Sequence, residues 1–256
     1  MADETAITQE AKRKKVNKHR LQFLALLLAL GGTISLLMKR ELHIFLGQLT
    51  QIASSNKKLT SAQMGVVRAF VKGGMARLAR DVLHQAEAVT PEVTRLATEM
   101  SGGVYDPFDT DVLYGTLNTG AMGVPLSDVL AQQFLQGING INGAVQRTIL
   151  SDSEIVVAVP EIQAIFDRMI KKVNGEVETQ INDGFNTVVQ QTAIKVGVKE
   201  MLYHLSPTDT HCKICPPRDG KIYPVNHEVW DSLPVHPNCV CWGEPIVRVQ
   251  GEKLPL

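Results

Sequence analysis

Residues 211–215 read HCKIC, and residues 236–241 read HPNCVC. These two stretches hold all four cysteines of the chain: Cys212, Cys215, Cys239 and Cys241. Each stretch can chelate, because a short turn between two ligands points two thiolates, or an imidazole and a thiolate, at one ion. Four such ligands satisfy tetrahedral Zn²⁺. The spacing therefore predicts a structural zinc site that cross-links the C-terminal part of the chain.

Five side chains compete for four positions in this site. Cys212 and Cys215 form one half, and the other half is either His236 with Cys239 or Cys239 with Cys241. We favour the four cysteines, with His236 as the alternative ligand or as a hydrogen-bond donor that orients the loop. Two disulfides are the competing interpretation, because an even number of clustered cysteines suits an oxidising compartment. Metal is favoured over disulfides because a C-x-C pair rarely closes on itself.

The residues between the cysteines predict a small β-module. Asp219-Gly220 is typical of a hairpin turn, and residues 221–223 follow as the returning strand. Prolines exclude a helix running through this region, and they stand at Pro216, Pro217, Pro224, Pro234 and Pro237. Apolar residues are few, so the module needs the cross-link that a metal supplies.

The same segment resembles the C-terminal part of the phage Mu F-like minor head proteins, also called phage head morphogenesis proteins. The likeness rests on TDTHC at 208–212, on DGK at 219–221 and on the stretch 233–241. The matching positions are Asp209, Cys212, Cys215, Asp219, Gly220, Lys221, Pro234, His236, Pro237, Asn238, Cys239 and Cys241. This chain departs from the family at Val240, where an arginine is usual. Upstream, a helical stretch over 115–192 carries no matching motif.

The resemblance implies a low-copy virion protein inside the phage head, near the portal. The implied partners are the portal and other virion proteins, and no enzymatic activity is implied. The residues agree, since a complete set of ligands leaves no open coordination position for catalysis. We therefore expect a structural protein without a catalytic residue.

Residues 21–38, LQFLALLLALGGTISLLM, contain no charged side chain. As a helix they span roughly 27 Å, the lower limit for crossing a bilayer. They lack a signal-peptide cleavage site and are followed by Lys39-Arg40. A membrane anchor and the core helix of a large assembly are the remaining interpretations. The candidate membrane or partner contacts are Leu21, Phe23, Leu27, Leu30 and Leu37.

A basic cluster precedes this apolar segment, and its first members are Lys12, Arg13, Lys14 and Lys15. It suits the phosphates of genomic DNA or anionic lipid headgroups, or a solvated tail. If the segment inserts, this tail stays in the cytoplasm. The whole chain has 26 basic and 26 acidic residues, so no global field draws it to nucleic acid.

These features together suggest a virion protein that leaves the head with the DNA and helps the genome cross the host membrane. It would then be found in the host cell membrane after ejection. In the stored particle, self-association or other virion proteins would cover the apolar segment. The alternative is a permanent single-span membrane protein with an exported domain stabilised by disulfides or zinc.

The chain as a whole is predicted to be mainly α-helical. The segments are a basic tail (1–20), an apolar membrane-like helix (21–38), a helical arm (39–103), a helical domain (104–197) and the zinc module (198–256). Glycines repeat through 137–143, which predicts a helix break or the close approach of another backbone. Apolar positions from Ile162 to Val196 predict one long helix, or two joined near Asn174-Gly175.

Overall fold

The structure, a computed structural model, is 75% helical and carries a small antiparallel sheet near the C-terminus. This confirms the predicted fold class of a mainly α protein with a small C-terminal β-module. The described residues are 2–53, 57–106, 110–120, 123–205, 213–236 and 239–246, with the backbone alone described for 2–15.

Seven α-helices and three strands are present in the described part of the chain. The helices are α1 (Ala2–Ile52), α2 (Met64–Ala88), α3 (Thr90–Met100), α4 (Thr110–Thr119), α5 (Leu126–Leu150), α6 (Val159–Lys195) and α7 (Glu228–Asp231). The strands are β1 (Glu200–His204), β2 (Ile222–Pro224) and β3 (Trp242–Pro245). The sheet order is β2-β1-β3, and both pairs are antiparallel.

Tertiary contacts divide the chain into two units. The first comprises residues 1–28, 88–123 and 178–256, and the second comprises residues 29–87 and 124–177. We call them the sheet unit and the helical unit. Helices α1 and α6 each contribute one segment to both. The five-segment division expected from the sequence stays a prediction.

The helical unit is held together by apolar side chains that recur every three or four residues. On α1 and α6 the buried members are Ile34, Met38, Phe45, Leu49, Ile162, Phe166, Met169 and Val173. The rings of Phe45 and Phe70 stack with their centroids 6.0 Å apart. The side-chain amide of Asn174 donates a hydrogen bond of 3.0 Å to the Ser35 hydroxyl. The amide nitrogen thus has a partner within the same unit.

Two sequence-based expectations about these helices are resolved. Helix α6 is a single helix through Asn174-Gly175. Helix α5 runs without a break through the glycine repeat, so a break there is wrong. The glycines instead admit side chains of α6, because a Cβ at Gly137 would collide with the Met169 sulfur and one at Gly140 would press on Ile165.

The sheet unit packs the first part of α1 against the second part of α6. The rings of Phe23 and Phe185 stack with their centroids 4.1 Å apart. Ser101, at the end of α3, donates a 3.1 Å hydrogen bond to the carbonyl of Val189. Strand β1 alternates in burial, with Met201 on its buried side. The module with the cysteines is therefore built onto a helical base.

The apolar segment 21–38 has two different faces. Phe23, Leu27 and Leu30 are buried within the chain. Leu21, Leu28 and Leu36 are 67%, 76% and 70% exposed. The helical stretch Val16–Ile52 is long and apolar enough to cross a membrane, with 33% of its most apolar window buried. Core helices of soluble proteins meet the same criterion, so length and composition alone do not identify a span.

Candidate metal centre

The sheet brings the two cysteine stretches to the same end of β1. Cys215 precedes a short turn, Pro216–Arg218, on the connection that leads from β1 to β2. Cys239 and Cys241 lie just before β3, whose first residue pairs with His204 at the end of β1. The predicted return strand is present as β2, and Gly220 adopts the positive φ of 71° that the turn requires. One helical turn, α7, fits between the prolines at 224 and 234, where the sequence predicted no helix.

Three side chains at this end are close enough together to bind a metal ion. The ligand atoms of Cys215, His236 and Cys239 all lie within 4.8 Å of one another. A backbone hydrogen bond of 3.1 Å from Cys239 to the carbonyl of His236 closes the turn that pairs them. In tetrahedral zinc with bonds of ~2.3 Å to sulfur, ligand atoms stand about 3.8 Å apart. The observed spacing therefore needs only small side-chain rotations to hold an ion.

The grouping bears on the choice of ligands left open by the sequence. His236, the alternative ligand, belongs to the group, whereas Cys241 does not. Cys212 lies outside the described residues, as do His211 and Asp209. Cys215, Cys239 and Cys241 are buried, and these three described cysteines form no disulfide. The donor set of two thiolates and an imidazole is the kind that borderline metals such as Zn²⁺ prefer.

The surroundings of Cys239 favour thiolate over thiol. Hydrogen bonding with the Cys241 side chain is the main cause that lowers the pKa of Cys239, and the backbone at Cys241 and Val235 and the charge of His236 lower it further. A cysteine must be deprotonated to bind a metal. Cys239 is thus prepared to act as a ligand by its own loop.

The hydroxyl of Tyr203 lies beneath the cysteines. Burial is the main cause that raises the pKa of Tyr203, and the nearby Cys215 and Cys241 raise it further. The phenol therefore stays protonated. Its oxygen is buried beside the sulfur atoms of these two cysteines. A protonated donor beside two sulfur atoms suits an anionic cluster of metal-bound thiolates.

Residues far upstream hold the loop of the second cysteine pair by its carbonyl groups. Asn182 donates to the carbonyls of Cys239 (3.3 Å) and Cys241 (3.1 Å), and Asn186 donates to Cys241 at 3.0 Å. Arg20 donates to the carbonyl of Val240 at 2.7 Å. These bonds fix the backbone that carries two of the candidate ligands, so the helices α1 and α6 position the site.

Sequence reasoning did not identify these three positioning residues. Asn182 and Asn186 lie four residues apart on α6, beside the apolar stripe that contains Ile181 and Phe185. A pair of asparagines at helical spacing within a buried surface is the signal that could have found them. Arg20 gave no such signal, because a basic residue that ends an apolar run is also expected at a membrane boundary.

His227 and the remaining predicted site residues lie outside the metal group. His227 caps α7, where its Nδ1 accepts a 3.1 Å hydrogen bond from the amide of Val229. The side chains of Lys12, Arg13, Lys14 and Lys15 lie outside the described residues, so their binding to DNA or lipid headgroups stays a prediction. Leu37 is half-buried on α1.

A cleft of about 540 Å³ lies in the sheet unit, and its lining includes Ile214 and Val235, which adjoin Cys215 and His236 in the chain. Its charged lining residues are Asp183, Arg218 and Asp231. Burial raises the pKa of Asp183 to about 6. Arg218 donates a 2.9 Å hydrogen bond to the Ser232 hydroxyl. None of the three grouped metal-ligand candidates lines this cleft.

Comparison with known proteins gives no family assignment: no family model matches the chain, and neither a curated protein nor a solved structure is significantly similar to it.

Proposed function

We propose that the C-terminal sheet is a structural zinc module with Cys212, Cys215, His236 and Cys239 as ligands. The observation that carries this proposal is the convergence of Cys215, His236 and Cys239 within 4.8 Å. When bound, the ion cross-links the loop before β2 to the loop before β3. The chain's own contribution is to hold the carbonyl groups of the second loop and to keep the ligand atoms buried.

We further propose that the chain is a phage virion protein, a minor head or internal protein near the portal. The support is that the three converging residues are positions of the segment that resembles the phage Mu F-like minor head proteins. A closed set of four ligands serves stability rather than catalysis, so the proposed role is structural. The proposed partners are the portal, other virion proteins and further copies of this chain.

The apolar segment adds a role at infection to this proposal. In the folded chain, the side that contains Phe23, Leu27 and Leu30 is buried, and the opposite side exposes Leu28 and Leu36. In the stored particle, the exposed side is covered by virion partners. After ejection with the DNA, the segment enters the host membrane, where its apolar side chains find lipid.

A permanent single-span membrane protein is the second candidate. The same exposed leucines on a helix of spanning length favour it. Location separates the two candidates: mass spectrometry of purified particles and of membrane fractions from producing cells should find the chain in particles. Recovery from membranes alone would support the second candidate.

The membrane role is tested by the double substitution Leu28→Asp with Leu36→Asp. Both side chains are exposed, so the folded chain should keep its metal. Insertion into liposomes should be lost, since a charged side chain at the centre of a spanning helix costs about 2.5–3.5 kcal/mol or more. The matched control places Asp at Gln22, an exposed polar position of the same helix. Unchanged insertion of the double variant would contradict the role.

A further inference from the structure

Arg20 is an unusual buried cation. Arg20 is only 4% exposed. Its guanidinium carbon lies 4.8 Å from the ring centroid of Phe23 and 5.2 Å from those of Phe185 and Trp242. These rings remove water from both the charge and its hydrogen-bond partners. Aromatic faces attract a cation, but they carry no compensating charge.

The hydrogen-bond partners of Arg20 are neutral as well. Its two terminal nitrogens donate to the Asn182 side-chain oxygen at 3.2 and 3.3 Å, and one of them donates to the carbonyl of Val240. No carboxylate of the described residues lies within ion-pair distance of it. Burying a guanidinium without a negative partner is costly. A negative charge close to this position is therefore needed to offset the cost of burying the guanidinium.

The cysteines of the last loop are the groups near Arg20 that can carry negative charge, since Cys239 and Cys241 flank Val240. The carbonyl that Arg20 binds belongs to Val240, between Cys239 and Cys241, so the guanidinium reaches the loop of the candidate metal centre. The proposed ligand set has three thiolates, Cys212, Cys215 and Cys239, and a neutral His236, so a bound divalent ion would leave one net negative charge. The metal–thiolate cluster would supply the missing counter-charge.

We propose that the thiolate-bound metal is the counter-ion of Arg20, so that metal binding docks the first part of α1, residues 16–28, onto the sheet unit. The proposal rests on the metal site proposed above and adds a function to it: the ion controls whether the start of the apolar segment is packed or released. Loss of the metal would leave Arg20 buried without a counter-charge and would favour its return to water.

The direct test is amide hydrogen exchange of the full chain, with zinc bound and after chelation. Exchange in residues 16–28 and 239–246 should rise on chelation, and exchange in α2 of the helical unit should stay unchanged. An unchanged 16–28 region would overturn the proposal while the metal site stands. An equal rise in α2 would also overturn it, because general unfolding would explain the result. A wild-type chain that binds no zinc would contradict both the proposed metal site and the proposed role of the metal as counter-ion of Arg20.

Substitutions give an independent readout. Arg20→Met keeps much of the packing and removes the charge, so zinc affinity in a chelator competition should fall by about 10–100-fold, the range for partners that tune a metal without binding it. Arg20→Lys should recover part of that loss. The matched control is Lys18→Met, an exposed lysine two residues away that should bind zinc as the wild type does. Equal affinities for Arg20→Met and the control would overturn the proposal. If Arg20→Met does not fold, the wild-type exchange comparison decides.

Discussion

In the helical unit, the buried side of α1 and α6 is mainly apolar, and the buried carboxylate of Glu41 has a charged partner, Arg77, at 3.2 Å. In the sheet unit, buried Arg20 has no such partner among the described residues, and it lies beside asparagines and cysteines. The buried carboxylate of the helical unit is thus paired with a cation of the same unit. The sheet unit contains a buried cationic group hydrogen-bonded to the cysteine loop, and the proposed metal site would balance its charge. The difference separates a part stabilised by apolar burial from a part for which we propose stabilisation by a metal ion.

The largest effect should come from Cys215→Ser. Zinc binding in small structural sites is worth about 10–16 kcal/mol, and this free energy is folding free energy. We expect the variant to lose its zinc and the sheet to exchange its amides freely, while α2 and α5 remain protected. Elemental analysis and hydrogen exchange measure the two results. His227→Ala is the control, because His227 caps α7 outside the metal group and its variant should keep about one zinc per chain.

The converse substitution is Phe166→Ala in the helical unit. Phe166 is fully buried, so its truncation should cost about 3–5 kcal/mol of unfolding free energy. Zinc content should not change, since the loss is confined to apolar packing. Denaturant unfolding and elemental analysis test this. Val157→Ala, at a position that is 63% exposed, should cost little. Loss of zinc from Phe166→Ala would show that the two units do not respond separately.

The choice of ligand is tested by comparing His236→Ala with Cys241→Ser. His236 belongs to the group of converging ligand atoms and Cys241 does not. His236→Ala should therefore weaken zinc binding by more than ~100-fold, and Cys241→Ser by about 10–100-fold, the range for a residue that only surrounds the ligands. Chelator competition gives the affinities, and the visible spectrum of the cobalt form reports the number of thiolates. The reverse order would restore the four-cysteine site.

The smallest effect concerns pH. Burial raises the pKa of Asp183 to about 6, against 3.8 for an unperturbed carboxyl. The folded chain thus binds this proton more tightly than the unfolded chain does. The contribution to stability is complete below pH 3.8 and is lost as pH rises through about 6.

Asp183→Asn should remove this dependence and add stability of order 1 kcal/mol at pH 7, allowing for partial solvent exposure. Thermal unfolding at pH 5 and pH 7 measures it. Asp167→Asn, at an exposed position on the same helix, is the control. An equal response of both variants would mean that burial of Asp183 has no energetic effect.

The sequence predictions that were confirmed rest on patterns among residues close together in the chain. Apolar residues at helical spacing predicted α6, and Asp219-Gly220 predicted the turn before β2, because both depend on neighbours in the sequence. The helix break at Gly137 was wrong because the reason for that glycine is Met169 on another helix. The contacts of Asn182, Asn186 and Arg20 with the cysteine loop were not predictable for the same reason. They cross the predicted boundary at residue 198, and no local pattern reports them.

The bond between Arg20 and the carbonyl of Val240 joins residues 220 positions apart in the chain. At a translation rate of 5–20 residues per second, Val240 is made roughly 10 to 45 s after Arg20. During that interval the apolar helix has left the ribosome, while its partners on α6 and in the last loop do not yet exist. The nascent chain therefore offers a spanning-length apolar helix to any membrane-insertion machinery or chaperone before it can fold. The buried side of this helix, with Phe23, Leu27 and Leu30, therefore stays without its late-made partners until the last loop has been synthesised.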